Sequence, residues 1–360
     1  MATYKSIRYL VPDEVVEHTD SINALADVNT STVAPEVGQT LKWSDANSRW
    51  QPADIEESGS SGTQKALFGF GMADAGRTNI SNLVSSSGVV ASDTTGVGTS
   101  RNGLAAASYG GDKAIFGFGY SGSNTTNVTN LVSNAGVVAS NTTGVGTART
   151  YTAAAGFGGD KAIFGFGDTN SGGNYTNVSN LVSNAGVVAS DTTGVGTARN
   201  DLAATSYGGD KVIFGFGTTT SGATNITNLV SNTGVVASDT TGVGTAINRR
   251  AAAGYGGDKG IFGFGSDGGY PGQTSVTNLV SNAGVVATDT TGVGTGRENV
   301  AATSYGGDKA IFGFGKAEVD YMMPYNTTNL VSNVGVASSD VTGVGTARDS
   351  LAAAGFSTTA

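Results

Sequence analysis

From Lys65 to Ala360 the apolar residues come in short alternating runs, and almost none of the chain carries the 3.6-residue period of an amphipathic helix. The stretch from Arg149 to Thr197 illustrates the pattern. Thr152–Phe157 (Thr-Ala-Ala-Ala-Gly-Phe) predicts a first strand, and Gly158-Gly159-Asp160 predicts a turn that uses the positive φ open to glycine. Lys161–Phe166 predicts a second strand, with Ala162, Phe164 and Phe166 on one face and Ile163 and Gly165 on the other. Val178–Val182 predicts a third strand, Asn184-Ala185-Gly186 a turn, and Val187–Ser190 a fourth strand.

This pattern recurs. Phe-Gly-Phe-Gly begins at Phe68, Phe116, Phe164, Phe214, Phe262 and Phe312, followed each time by Asn-Leu-Val and then Gly-Val-Gly-Thr, with a period of 48 to 51 residues. Asn-Leu-Val to Gly-Val-Gly is always 14 residues, and Gly-Val-Gly to the next Phe-Gly-Phe is always 20. Phe-Gly-Phe to Asn-Leu-Val varies between 14 and 17, so all length variation falls in one loop per repeat, as expected of exposed backbone. Four-stranded units of this length predict an all-β fold, a six-bladed β-propeller, with the Ala-rich strand innermost where space is least. Leu351–Phe356 is a first strand with no second strand after it, and Lys65–Phe70 is a second strand with no first strand before it. The two are expected to complete each other, so that the 351–356 strand closes a propeller spanning 65–360.

Residues 1–57 differ in kind, and Ser58–Gln64 reads as a linker. The N-terminal segment holds Trp43 and Trp50, the only tryptophans, and a hairpin is predicted about Asp45-Ala46-Asn47. It carries ten acids against four bases, six of the nine net negative charges of the chain, so the repeats are nearly neutral.

Composition narrows the function. There is no cysteine and one histidine, His18, which excludes disulfides, Cys-based zinc sites and sites with several His ligands. His18 has no Ser or Cys constellation and reads as solvated. The acidic balance excludes a nucleic-acid groove, and no apolar run reaches the ~18 residues of a membrane span. The 57 glycines, well above the usual ~7%, fall mostly at repeated turn and strand positions.

Candidate chemistry sits in the loops. Antiparallel order puts the approach to each first strand and each variable loop on one face of the propeller. That face would gather Arg101, Arg149, Arg199, Arg297 and Arg348, with Ile247 interrupting the series, and the loop residues Tyr120, Tyr175, Tyr270, Tyr321 and Tyr325. Two readings stand for the arginines: a ligand face, since Tyr and Arg favour binding hot spots, or a repeated bond between blades. The longest loop adds Met322 and Met323 to Tyr321 and Tyr325 as an apolar patch. Asp112, Asp160, Asp210, Asp258 and Asp308 read as turn residues beside a surface Lys rather than as calcium ligands, and Asp191 and its equivalents as Asx turns. No metal or cofactor is expected. The non-repeated acids Asp74, Asp168, Asp201, Asp267, Glu298, Glu318, Asp320 and Asp349 include no pair that stands out as a glycosidase pair, and no enzyme activity is expected.

The stretch Thr197–Gly217 resembles a kelch repeat, with an Arg before a small-residue strand and then a strand ending in glycines. It departs in its Gly-Phe-Gly doublet and in having Val-Val where kelch outer strands carry Tyr and Trp. The absent His and Cys separate it from kelch-type copper oxidases. Leu25–Asn29, Gly38–Trp43 and Trp50–Ala53 resemble a short module near the N-termini of fibre-like virion proteins of tailed phages, above all marine cyanobacterial phages. The Gly-Thr-Ala-Arg and Asn-Leu-Val-Ser-Asn-Ala-Gly-Val-Val repeats look like theirs too. The resemblance implies a virion structural protein, assembled in the host cytoplasm and displayed on the particle. Residues 1–57 would dock to other virion proteins, with Trp43 and Trp50 as docking candidates. The propeller face would contact a host surface glycan or protein, as a tail or fibre adhesin. A capsid, neck or baseplate decoration or connector subunit is the alternative, and a carbohydrate-active enzyme a remote one. Homo-oligomerisation is left open.

Overall fold

The computed structural model describes residues 39–44, 49–54, 64–170, 172–269, 272–317 and 323–357. Among them every regular element is a β-strand. The chain divides after Ser60 into two compact units. In the first, Gln39–Ser44 pairs antiparallel with Arg49–Asp54, with Trp43 opposite Trp50 in the register.

The second unit is a series of three-stranded antiparallel sheets, six among the described residues. In each, a middle strand lies between a leading and a trailing one; for example, Ala153–Phe157, Lys161–Gly165 and Ser179–Val182. The first sheet takes its leading strand from the far end of the chain. Ala352–Ser357 pairs with Gln64–Gly69, which pairs on its other side with Ser81–Val84. The predicted fourth strand is not continuous. Val187–Ser190 and the residues after it attach to the trailing strand only by single bridges, Val182 to Val188 and Ser179 to Thr192. Asp191 and Gly194, residue types depleted in strands, break up the run that would have to hold a longer ladder.

The repeated Phe-Gly-Phe sets how the sheets pack. The middle strand ends at Gly165, and Phe166 takes a left-handed backbone, φ 61°. All six equivalents do the same. Alternation stops there, so Phe164 and Phe166 do not share a face as the pattern predicted. Phe164 packs back on Phe118, ring centroids 5.1 Å apart, and Phe166 packs forward on Phe214 at 5.2 Å. Gly165 lies under the Phe214 ring, where a Cβ would come within 2.8 Å of Cζ. The same contact relates each sheet to the next, and Gly313 of the last sheet lies equally close to Phe68 of the first. Fully buried phenylalanines, with Ile and Val of the middle and trailing strands, thus fill the space between successive sheets.

Candidate functional site

The arginines are placed first, because their position decides which surface is available. Arg149, Arg199, Arg297 and Arg348, with Arg101, have no exposed surface. The structure therefore corrects the ligand-face reading of these residues, and the alternative holds only in part: each guanidinium hydrogen-bonds within its own sheet and meets the preceding sheet through a phenylalanine ring. Arg199 lies over the Phe166 ring of the preceding sheet, 4.3 Å from the centroid. It donates through Nε to Phe216 O (2.9 Å), through Nη1 to Thr197 O (3.1 Å) and through Nη2 to Asn228 Oδ1 (2.7 Å). The Asn of each Asn-Leu-Val is thus the acceptor that fixes the guanidinium. Burial pulls the pKa of Arg199 down to about 10, which leaves it charged at neutral pH. Ile247 does not interrupt the series. Arg250 reaches the same place from three residues on, stacking over Phe216 at 4.2 Å and donating to Asn278 Oδ1 at 2.7 Å.

The Asp before Thr-Thr-Gly also bridges repeats and does not close a local Asx turn. Asp191 accepts the Thr147 hydroxyl (2.6 Å) and N–H (3.0 Å) from 44 residues earlier, and the Asn180 amide (2.8 Å). Asp93 does the same with Thr346, across the ends of the unit. The glycine-turn acids pair with their own neighbours, Lys161 with Asp160 at 3.2 Å for example, on the surface. Among the described residues no group of His or acids is placed to hold a metal ion.

What remains at the loop end is a collar. Gly103, Tyr151, Asp201, Arg249, Asn299 and Ser350 occupy equivalent positions, all with left-handed φ between 52° and 62°. Each N–H donates to the carbonyl of its counterpart in the preceding repeat: Tyr151 to Gly103, Asp201 to Tyr151, Arg249 to Asp201, Asn299 to Arg249, Ser350 to Asn299, and Gly103 to Ser350. The six bonds, 2.6 to 3.2 Å long, form a closed cycle. Beneath it Leu104, Thr152, Leu202, Arg250, Val300 and Leu351 line a cavity of about 70 Å³. The residue before each collar position pairs through its backbone with the start of its own sheet's variable loop, as Thr150 does with Asp168 and Glu298 with Lys316. Collar and variable loops therefore belong to one end.

The collar is electrostatically knit. Arg249 Nη1 lies 3.1 Å from both Glu298 carboxylate oxygens, and its Nε is 3.9 Å from Asp201 Oδ2. Lys316 Nζ (3.8 Å) and the Gln273 amide (3.4 Å) also reach Glu298, which is 1% exposed. Burial works to lower the Arg249 pKa, but the charges of Glu298 and Asp201 outweigh it and raise it. Burial pushes Asp201 up to about 6, against the pull of Arg249. Asp349 is also raised by burial, although the Ser350 hydroxyl donates to it at 2.6 Å. Burial, then the charges of Asp201 and Asp349, raises the Tyr151 phenol. Arg249 is the most open of these groups, with 42% of its side chain exposed.

Of the other predicted ligand-face residues, Tyr120, Tyr175 and Tyr325 are half-buried, with Arg77 over the Tyr120 ring at 4.7 Å, and Met323 is 46% exposed. Tyr270, Tyr321 and Met322 lie outside the described residues. Sequence reasoning singled out none of the collar residues as a site, although Asp201 stood among the non-repeated acids. A signal was there. Thirteen residues ahead of successive Phe-Gly-Phe marks the chain reads Gly, Tyr, Asp, Arg and Asn, a variable column inside a segment of constant length.

No protein-family model matches the chain, and no curated protein matches its sequence.

Proposed function

We propose that the second unit is a six-bladed, kelch-like β-propeller. In this reading the chain is a virion surface protein of a tailed phage, a tail- or fibre-type adhesin whose loop face contacts a host surface glycan or protein. The propeller reading is supported by the repeated sheet-to-sheet contact, the pairing of Ala352–Ser357 with Gln64–Gly69 and the six-membered cycle of collar bonds. The binding reading is carried by one observation. The scaffold repeats nearly unchanged, while the collar and the variable loops, which share one end, differ from copy to copy. The virion assignment rests on the resemblance of residues 25–53 and of the repeats to phage fibre-like proteins, and residues 1–57 would dock to other virion proteins.

A second reading, a decoration or connector subunit without a host ligand, is favoured by a different feature. Val89, Val137, Val187, Val235, Val285 and Val336 are each about 65% exposed, an apolar rim repeated on every sheet. One pair of measurements separates the two. Immunogold electron microscopy of purified particles is expected to label the tail or its fibres. Replacing residues 316–327 by a short Gly-Ser loop is expected to reduce host adsorption while particles remain intact. Labelling of the head with unchanged adsorption would replace the adhesin by the decoration protein, and absence from particles would overturn both.

A further inference from the structure

We infer that the collar of Tyr151, Asp201, Arg249 and Asn299 is a saccharide-binding subsite that receives the end of a glycan chain, its pyranose ring over the collar and one exocyclic hydroxyl group in the cavity beneath. This deepens the adhesin reading and rests on it.

Four observations carry the assignment. The first is strain. A left-handed backbone is unfavourable for bulky residues, though Asn and Asp tolerate it, and Gly103 fills the same position in one copy. A bulky Tyr151 and Arg249 are therefore not what the backbone asks for. The second is chemistry. Around one cycle stand a carboxylate acceptor (Asp201), a guanidinium donor (Arg249), an amide that does both (Asn299) and an aromatic ring (Tyr151). Hydroxyls that donate and accept, on a framework with an apolar C–H face, match that set. Arg249 lies between Glu298 and Asp201, so the collar offers no uncompensated charge for a simple anion. The third is an unpartnered group. Thr152 lines the cavity where other copies place Leu104, Leu202 and Leu351, is 6% exposed, and its Oγ1 has neither a hydrogen-bond partner nor accessible surface, so a rotation about χ1 is what would bring it to a ligand hydroxyl. The fourth is size. The cavity has room for about two water molecules, so it admits a hydroxymethyl or hydroxyl group but no large protein side chain.

The test uses the full chain and methyl glycosides of the common hexoses, deoxyhexoses and N-acetylhexosamines, screened by saturation-transfer NMR and titrated. Binding of at least one is expected. Tyr151→Gly reproduces the residue found at position 103, and Asp201→Asn places at 201 the residue type found at 299, so both suit the backbone. Each is expected to weaken binding by about tenfold or more, the loss of one good contact, while Lys161→Ala, in an exposed glycine turn, leaves it unchanged. No binding across the panel, or equal binding by both collar variants, overturns the subsite. Competition of the purified chain with particles for host cells separates this from the broader reading. Competition that survives Tyr151→Gly keeps the adhesin and overturns the subsite. Glycoside binding without competition keeps the subsite and overturns the adhesin. Competition abolished by protease treatment of the cells but not by periodate makes the ligand a protein and overturns the saccharide.

Discussion

Replacing Arg199 by Met tests whether the buried guanidinium groups lock the approach to each leading strand onto its own sheet and onto the ring of the preceding one. Met keeps much of the unbranched stem and its contacts, so the change isolates the polar head. Three hydrogen bonds are lost, to Phe216 O, Thr197 O and Asn228 Oδ1, and the acceptors of Phe216 and Asn228 are left in a dry interior, whereas exposed Thr197 can turn to water. Bonds to a charged donor contribute about 1.5–3 kcal/mol each, and stacking over Phe166 adds about 1. Against this, removing the ion relieves its burial. A guanidinium held near 10 instead of 12.5 corresponds to a cost of about 3 kcal/mol. The bonds win, and the net loss is about 3–5 kcal/mol, the range seen when one partner of a buried ionic contact is removed. Arg199→Lys keeps the charge but not the planar fork, and should fall between the two. Calorimetry or circular dichroism is the assay, because the only tryptophans, Trp43 and Trp50, lie in the other unit and indole fluorescence does not report this one. A lowering of the melting temperature on the order of 10 °C is expected for a domain of this size. A Met variant within 1 kcal/mol of the parent, or a Lys variant equal to it, would refute the argument.

Asn141 stands where the other five repeats place an Asp, and Asn141→Asp should stabilise the fold by about 0.5–1 kcal/mol, since the site is partly exposed. Burial alone would raise Asp93, Asp191, Asp239, Asp289 and Asp340, but bonds from Thr and Asn and the nearby Arg hold all five below the usual 3.8. Their contribution is complete above that value and is lost as pH falls through the lower native values, so the gain from Asn141→Asp should vanish in the same acid range; a gain that persists there would contradict this. Asp201 has the opposite sign: its raised pKa means that ionisation costs stability as pH rises from about 4 to about 6, and Asp201→Asn should stabilise the protein at pH 7 by about 1–3 kcal/mol and not at pH 3. A variant less stable than the parent at pH 7 would show that Arg249 needs this carboxylate more than burial penalises it. Gly165→Ala drives a Cβ to 2.8 Å from Phe214 Cζ and should cost about 1–3 kcal/mol by urea denaturation, and an unchanged midpoint would mean that the sheets can part.

The parts of this fold that could be read from the sequence are those in which a residue type answers a local demand. Alternating apolar residues marked the leading, middle and trailing strands to within a residue or two, and glycine pairs marked the turns between them. The orphan runs at 65–70 and 351–356 stood out because their partners were missing locally, and they lie side by side. What escaped depends on one backbone torsion or on a partner far away in sequence. Phe166 changes face because φ reverses at a single residue, and strand periodicity carries no sign of that. For the Arg before each leading strand the sequence left two readings, surface ligand or structural bond, since Arg is seldom fully buried without a partner. Its partner here is the Asn of Asn-Leu-Val about thirty residues on, itself read only as part of a strand. Arg250 shows that place in space governs this contact more than place in the alignment, because a shift of three residues preserves it.

The collar was hidden for a more general reason. A repeat is detected by what stays the same, whereas a site built on a repeat lies in what differs. In the segment that leads into each leading strand, the small strand residues and, in five copies, the Arg carry the packing and recur, while the three columns between them vary, the middle one from Gly to Tyr, Asp, Arg, Asn and Ser. That column has a common backbone, since all six residues are left-handed and share one cycle of hydrogen bonds. The scaffold therefore fixes position and leaves identity free. Glycine, Asn and Asp meet the torsion with little strain, so it is the bulky Tyr151 and Arg249 that need a reason outside the backbone. Arg249 finds part of that reason in its pairing with Glu298, whereas Tyr151 rests its ring against Gly103 and has no ion-pair partner among the described residues, which is why Tyr151→Gly is the sharpest test of the proposed subsite.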